Sequence, residues 1–253
     1  MSAMSVTLKE FFETHPRVAI ALSGGVDSSY LLSEAARHCE SVLAVYVHSA
    51  FQPGFELEDA SRVAQDCGVQ LVQLRLDILG FEEVRKNPID RCYYCKLELF
   101  KAITKAAKER GYDIVLEGTN ASDDMSDRPG MRALMELGVL SPLRICGVTK
   151  SDIRKGARLA GLHNSEKPSY ACLATRFPTG MEIDAEKLQL VERAETALFA
   201  MGFSDFRVRL YHSAARIQMP TAQTGALLEK RAEIAKLLSE LGFDAVTLDL
   251  VPR

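Results

Sequence analysis

The sequence predicts an α/β protein: a parallel sheet with helices on both faces, followed by a small C-terminal α+β domain. Three observations predict it. Short apolar strands alternate with amphipathic helical stretches through the first half of the chain, the pattern of a parallel sheet whose crossovers are helices. Two glycines join the first strand directly to a helix. After an irregular stretch near residues 163–180, the alternation gives way to helix, two strands, helix and strand.

The elements follow in order. Residues 18–22 form a short apolar strand, and a helix follows the glycine turn to about residue 36. Residues 42–47 are the next strand, 56–67 a helix and 70–76 a strand. The spacing predicts a helix over 97–110 that Gly111 stops, because glycine accepts the left-handed conformation past a helix end. Residues 114–116 are a strand and 131–137 a helix; Thr149 with Asp152 three positions later is a capping box opening another helix, which ends near Gly161. The second half predicts helix 185–201, strands 206–210 and 216–218, helix 222–241 and strand 245–250. The expected division is a nucleotide-binding domain over 1–162, an active-site loop and junction over 163–183, and an α+β domain over 184–253.

Composition narrows the function classes. A 253-residue chain with 47% hydrophobic and 26% charged residues can bury a sizeable core. Its longest apolar runs are far too short to span a bilayer, and residues 1–13 show no leader pattern, so no membrane association and a cytoplasmic location are expected. The formal net charge of −3, with no basic stripe, argues against a nucleic-acid partner. Six cysteines in such a chain do not suggest a disulfide framework. Cys39, Cys67 and Cys146 sit in or beside apolar segments and are expected to be packing residues.

The sharpest signal is Ser23, Gly24, Gly25, Val26, Asp27, Ser28 and Ser29, at the end of the first strand and the start of a helix. Glycine permits close backbone approach, and a helix N-terminus offers N–H groups and a favourable dipole to an anion. The lysine of the common NTPase phosphate loop is missing, and Asp27 suits a Mg2+ ion bridging phosphates instead. Val47, His48 and Ser49 end the second strand, and Gly118, Thr119, Asn120 and Asp123 follow a later one; in such sheets ligands bind at these carboxyl ends. A solvated acidic loop is the competing account of Asp123 and Asp124.

These residues resemble the PP-loop ATP-pyrophosphatases. The resemblance implies that ATP is cleaved between its α- and β-phosphates, that AMP passes to a carboxylate or carbonyl oxygen, and that the second-strand end holds adenine and ribose.

Cys92 and Cys95 lie in Arg-Cys-Tyr-Tyr-Cys-Lys, and Cys172 in Pro-Ser-Tyr-Ala-Cys-Leu-Ala-Thr-Arg. Lys167 and Arg176 flank Cys172 and favour its thiolate. A zinc site with His163 as fourth ligand, a redox pair, an iron–sulfur cluster with one open iron, and three unrelated packing cysteines all remain open on these residues. Arg207 and Arg209 alternate on one strand and so share a face, which suits a phosphate clamp or simply an exposed strand.

The order of these motifs, with Gly-Thr-Asn-Ala-Ser-Asp-Asp, Asp127-Arg-Pro-Gly130 and Phe206-Arg-Val-Arg209, resembles the LarE family of ATP-dependent sulfur transferases over nearly the whole chain. That resemblance implies adenylylation of pyridinium-3,5-biscarboxylic acid mononucleotide and conversion of its carboxylates to thiocarboxylates, for a nickel-pincer cofactor. It implies ATP, Mg2+ and a 4Fe–4S cluster held by Cys92, Cys95 and Cys172; in another subtype the cysteine matching Cys172 gives up its own sulfur. It places Arg207 and Arg209 near phosphate, makes Glu195 an acid that touches a metal, and marks Arg128 and Arg132 as anion contacts. A homo-hexamer and a small-molecule mononucleotide substrate are the partners it suggests; the sulfide source is not indicated. A PP-loop tRNA thiolase shares the sulfur chemistry but needs a basic RNA surface. A nucleotide sensor would bind ATP without releasing pyrophosphate.

Overall fold

In chain order the helices are α1 (Leu8–Thr14), α2 (Val26–His38), α3 (Gly54–Asp66), α4 (Glu82–Arg85), α5 (Arg91–Lys108), α6 (Pro129–Glu136), α7 (Pro142–Ile145), α8 (Lys150–Leu159), α9 (Ala185–Ala200), α10 (Thr221–Glu229) and α11 (Arg231–Leu241). The strands are β1 (Arg17–Ala21), β2 (Ser41–His48), β3 (Gln70–Arg75), β4 (Val115–Leu116), β5 (Arg207–Tyr211), β6 (Ala214–Gln218) and β7 (Ala245–Leu248). This computed structural model describes residues 6–124 and 129–253. Two compact units emerge: residues 1–49, 54–78 and 90–169 form the first, and 50–53, 79–89 and 170–253 the second. Residues 50–53 and 79–89, expected within the nucleotide-binding domain, thus group with the second unit.

The first unit is built on a parallel sheet in the order β3-β2-β1-β4. Side chains alternate across it. Val18, Ile20, Ala44 and Tyr46 point to one face, where α1, α2, α3 and α8 contribute Phe12, Leu31, Val63 and Ile153 to one buried cluster. Ala19, Leu43, Val45 and Val115 point to the other, against Phe100, Ile103 and Ala107 of α5 and Leu134 of α6. The expected parallel sheet with helices on both faces is therefore present. β1 pairs with β2 on one side and β4 on the other, so the strand order reverses between β1 and β4. Ligands of open α/β sheets bind beyond the carboxyl ends of strands at that reversal.

Several boundaries depart from the sequence pattern. Helix α5 starts at Arg91 rather than 97, which brings both cysteines of the Cys-x-x-Cys pair onto its first turns. Contacts with α6 account for the extension: Tyr93 donates to Glu136 at 2.8 Å, and the Arg132 guanidinium lies 3.9 Å from the centre of the Tyr93 ring. The helix expected over 222–241 breaks at Lys230, whose Nζ donates to the Met201 carbonyl at 3.2 Å, a tertiary contact that periodicity does not register. The capping box is as expected: Thr149 and Asp152 bond reciprocally and start α8 at Lys150.

The second unit carries a three-stranded sheet in the order β5-β6-β7, with β5–β6 antiparallel and β6–β7 parallel. Helices α9 and α11 bury Val191, Leu198, Ile234 and Leu238 beside its Val208, Leu210 and Ile217. Among the described residues, no helix is long and apolar enough to cross a membrane.

The tightest point of the first unit is Gly24, with φ +81°; a Cβ there would stand 2.5 Å from the Glu56 carbonyl oxygen of α3. Gly24→Ala combines a left-handed side-chain cost with overpacking, so we expect it to lower stability by about 2–5 kcal/mol. Urea denaturation should show a lower midpoint with an unchanged slope.

Candidate functional site

In the first unit, the turn after β1 is organised by its own hydroxyls. Ser28 Oγ accepts from the Ser23 N–H at 3.2 Å and donates to the Gly25 carbonyl at 3.1 Å. Gly25 is the N-cap of α2 and supplies no side-chain cap, so the first N–H groups of a 13-residue helix face outward from the strand end. An anion at that terminus gains both hydrogen bonds and the helix dipole.

The loop after β4 packs against this turn. A Cβ on Gly118 would stand 2.9 Å from Ser28 N, so only glycine allows the two loops to abut. Glu117, buried, accepts from the Thr119 N–H at 3.1 Å, from its hydroxyl at 2.8 Å and from Ser141, which shapes the Gly118-Thr119 backbone. Asn120 is buried and bonds the Ser122 N–H at 2.9 Å, while Asp123 accepts from the Asn120 N–H at 3.0 Å. At the end of β2, Val47 and Ser49 are buried and His48 is exposed. Arg128 lies outside the described residues.

Asp27, in the first turn of α2, meets a partner that the sequence reading missed. Lys150 Nζ donates to both of its carboxylate oxygens, at 2.6 and 2.7 Å. The Thr149 capping box fixes where α8 begins, and the first residue of that helix is this lysine. This lysine lies 123 residues beyond Asp27 in the sequence. Burial pushes the Asp27 carboxyl above the usual aspartate range, and the hydrogen bond and charge of Lys150 offset only part of that; the Asp123 charge adds to the rise.

In the second unit a second charged cluster is buried. Arg176 and Glu195 are fully enclosed, with two parallel N–H···O bonds of 2.9 Å each. Tyr170 donates to Glu195, and Glu195 also accepts from the Val208 N–H at 2.8 Å. Burial works against the Arg176 charge, but the bonds and charge of Glu195 more than offset it and hold its pKa above the usual value. The Tyr170 ring lies 4.5 Å from the Arg176 guanidinium and 4.7 Å from that of Arg207. Burial first, then the Arg176 and Arg253 charges, bring Arg207 down to about 10. Arg209 donates to the Thr175 carbonyl at 2.6 Å and to Gln218 at 3.1 Å, and faces Arg216 directly across the β5–β6 ladder. Glu195 therefore sits among guanidinium, phenol and backbone donors. Arg176, Arg207 and Arg209 bring three guanidinium groups close to the Glu195 carboxylate, and guanidinium groups so gathered attract an anion.

The cysteines divide between the units. Cys92 and Cys95 stand one turn apart at the start of α5, with the Arg91 guanidinium 3.6 Å from the Cys92 sulfur. Cys172 belongs to the second unit, where Arg176 Nη1 donates to the carbonyls of Ala171 at 2.8 Å and Cys172 at 3.3 Å. Among the described residues, no group of three or more His, Cys, Asp and Glu side chains is assembled as a metal site. His163 bonds Asp59 at 3.2 Å. Burial raises the thiols of Cys39, to about 11, and of Cys67 and Cys146, which matches their packing role.

A glycine turn opening a helix at the strand reversal, with an acid in its first turn and a second glycine loop against it, defines a PP-loop nucleotide-binding unit. Residues 7–123 match the asparagine synthase family. The chain is 31% identical over 252 residues to the pyridinium-3,5-bisthiocarboxylic acid mononucleotide synthase of Lactiplantibacillus plantarum, covering 99% of this chain and 91% of that protein. It is 37% identical over 248 residues to an uncharacterized protein of Synechocystis (96% of this chain, 92% of the other), and 32% identical over 243 residues to one of Methanocaldococcus jannaschii (96% and 92%). The chain belongs to the LarE family of ATP-utilising sulfurtransferases. The PP-loop implies use of ATP and Mg2+.

Two outcomes follow from this geometry. Because the folded Asp27 carboxyl holds its proton more tightly than an unfolded one, its contribution to stability falls as pH rises from the ordinary aspartate value through the folded value. Lys150→Met removes the two largest of the three lowering influences, leaving that of Arg154, and widens that window upward, which a carbon-13 carboxyl titration of the metal-free protein should show as a higher Asp27 pKa. Glu195→Ala leaves Arg176 buried without its counter-charge, and we expect a loss of about 3–5 kcal/mol in chemical denaturation.

Proposed function

We propose that this protein adenylylates a carboxylate of pyridinium-3,5-biscarboxylic acid mononucleotide and replaces a carboxylate oxygen with sulfur. The observation that supports this most strongly is the 31% identity to the L. plantarum synthase over 99% of the chain, since it spans both the PP-loop unit and the unit bearing the arginines. A PP-loop alone is compatible with many acceptors.

The α2 N-terminus receives the phosphates of ATP, Val47, His48 and Ser49 line the adenosine side, and Gly118, Thr119 and Asn120 close the other. Asp27 and Asp123 would hold Mg2+, which supplies neutralising charge to the phosphates when bound. Lys150 exchanges its contact with Asp27 for a phosphate oxygen, a cation held ready by the capped start of α8. The substrate carboxylate oxygen attacks the α-phosphorus, the bond to the bridging oxygen of the β-phosphate breaks, and pyrophosphate leaves with that electron pair. Arg207 and Arg209 bind the phosphate of the mononucleotide or the released pyrophosphate through their planar, always-charged guanidinium groups.

The donor set for a 4Fe–4S cluster is consistent with this chain at two positions: Cys92 and Cys95 lie one turn apart at a helix N-terminus. By the family resemblance alone, Cys92, Cys95 and Cys172 would be its ligands, and a cluster held by three thiolates would supply a transferable sulfide. Arg176 holds the backbone carbonyls at Cys172, which fixes where that thiol is presented.

The test has two parts. The unaltered protein should release pyrophosphate from ATP only with the mononucleotide present, and folded Asp27→Ala should release none; undiminished release from that variant would remove Asp27 from the mechanism. Anaerobic reconstitution should give cluster absorbance and an unchanged protein mass after turnover. Absence of that absorbance, with a loss of about 34 Da at Cys172 as its thiol becomes dehydroalanine, would instead establish a sacrificial sulfur donor. Activity on tRNA in place of the mononucleotide would sink the substrate assignment.

A further inference from the structure

Asn164 lies in the 163–183 segment expected to be an active-site loop but is not among its candidate residues, and it is one of the most enclosed polar side chains of the first unit, at 1% exposure. It comes from the turn after α8 and reaches the glycine turn from behind. Its Nδ2 donates to the Gly24 carbonyl at 2.8 Å and to Ser29 Oγ at 2.8 Å. Its Oδ1 is buried, with no hydrogen-bond partner among the described residues. The amide orientation is set by chemistry, because Gly24 O can only accept; turning the amide over would bring two acceptors together.

The consequence follows from the planarity of the peptide. The C=O of Gly24 and the N–H of Gly25 belong to one trans peptide and point in opposite directions. Gly24 is buried and Gly25 exposed. Drawing the Gly24 carbonyl inward therefore turns the Gly25 N–H outward, where its contact is a long 3.4 Å bond to the exposed Ser23 hydroxyl. An oligophosphate oxygen is a stronger acceptor than that hydroxyl and would take its place. The second bond, to Ser29, ties the same amide to the first turns of α2. Two 2.8 Å bonds from one enclosed amide to the glycine turn and to α2 are poorly explained as generic filling, for which an apolar side chain would serve.

We infer that Asn164 is a positioning residue for phosphate: it holds the Gly24–Gly25 peptide in the orientation that presents its N–H to the β- and γ-phosphates of ATP. This inference rests on the PP-loop being the nucleotide site, and deepens that reading.

The experiment measures binding to the full chain by calorimetry, using Mg2+ with α,β-methylene-ATP, inorganic pyrophosphate, and adenosine as separate probes. Asn164→Ala should weaken the ATP analogue and pyrophosphate about tenfold or more, as a lost hydrogen bond near a charged ligand does, with adenosine affinity unchanged. Asn164→Ser retains one donor and should fall between; it also serves if the alanine variant does not fold. Pyrophosphate binding equal to that of the unaltered chain in a folded variant overturns the role and leaves the nucleotide reading intact. Parallel loss of adenosine and pyrophosphate overturns it too, because that marks general loosening of the unit. Failure of the unaltered chain to bind the ATP analogue overturns the nucleotide reading itself, and this role with it.

Discussion

The first unit depends on a single steric constraint: two loops and one helix meet where there is no room for a side chain. Gly24 lies against the Glu56 carbonyl of α3, and Gly118 against the Ser28 amide. These contacts bring the turn after β1 and the loop after β4 together beyond the strand reversal. The N-terminus of α2 then opens toward that place with its N–H groups uncapped by a side chain. Anion binding follows from the backbone, and side chains refine it.

The two units handle charge differently. In the first, Asp27 and Lys150 are partly exposed and paired at short distance, a contact that an arriving ligand can compete for. In the second, Arg176 and Glu195 are enclosed, and every oxygen of the carboxylate is bonded. Such a pair costs desolvation and is weak evidence for stability, but removing one partner is strongly unfavourable. Its consequence is geometric: it fixes the backbone carbonyls of Ala171 and Cys172.

The sequence by itself determined the fold class, because short continuous apolar strands alternating with helical periodicity have few other solutions. It located the glycine turn, the Gly118 loop and the capping box, since each depends on local backbone chemistry within a few residues. Tertiary structure decided what depends on distant partners. Lys150 meets Asp27 only because α8 starts where Thr149 caps it and packs beside α2; the capping box was legible, the lysine's target was not. Asn164 lies in an irregular stretch with no period to read, and its role exists only against Gly24. Helix α5 begins six residues earlier than its pattern suggests because α6 supplies partners to Tyr93. Glu195, legible only as a family acid, acquires its partners from residues 13 to 25 positions away. Local rules are written in neighbouring residues, whereas the partners of a buried charge are set by packing, and that is where sequence reading reached its limit.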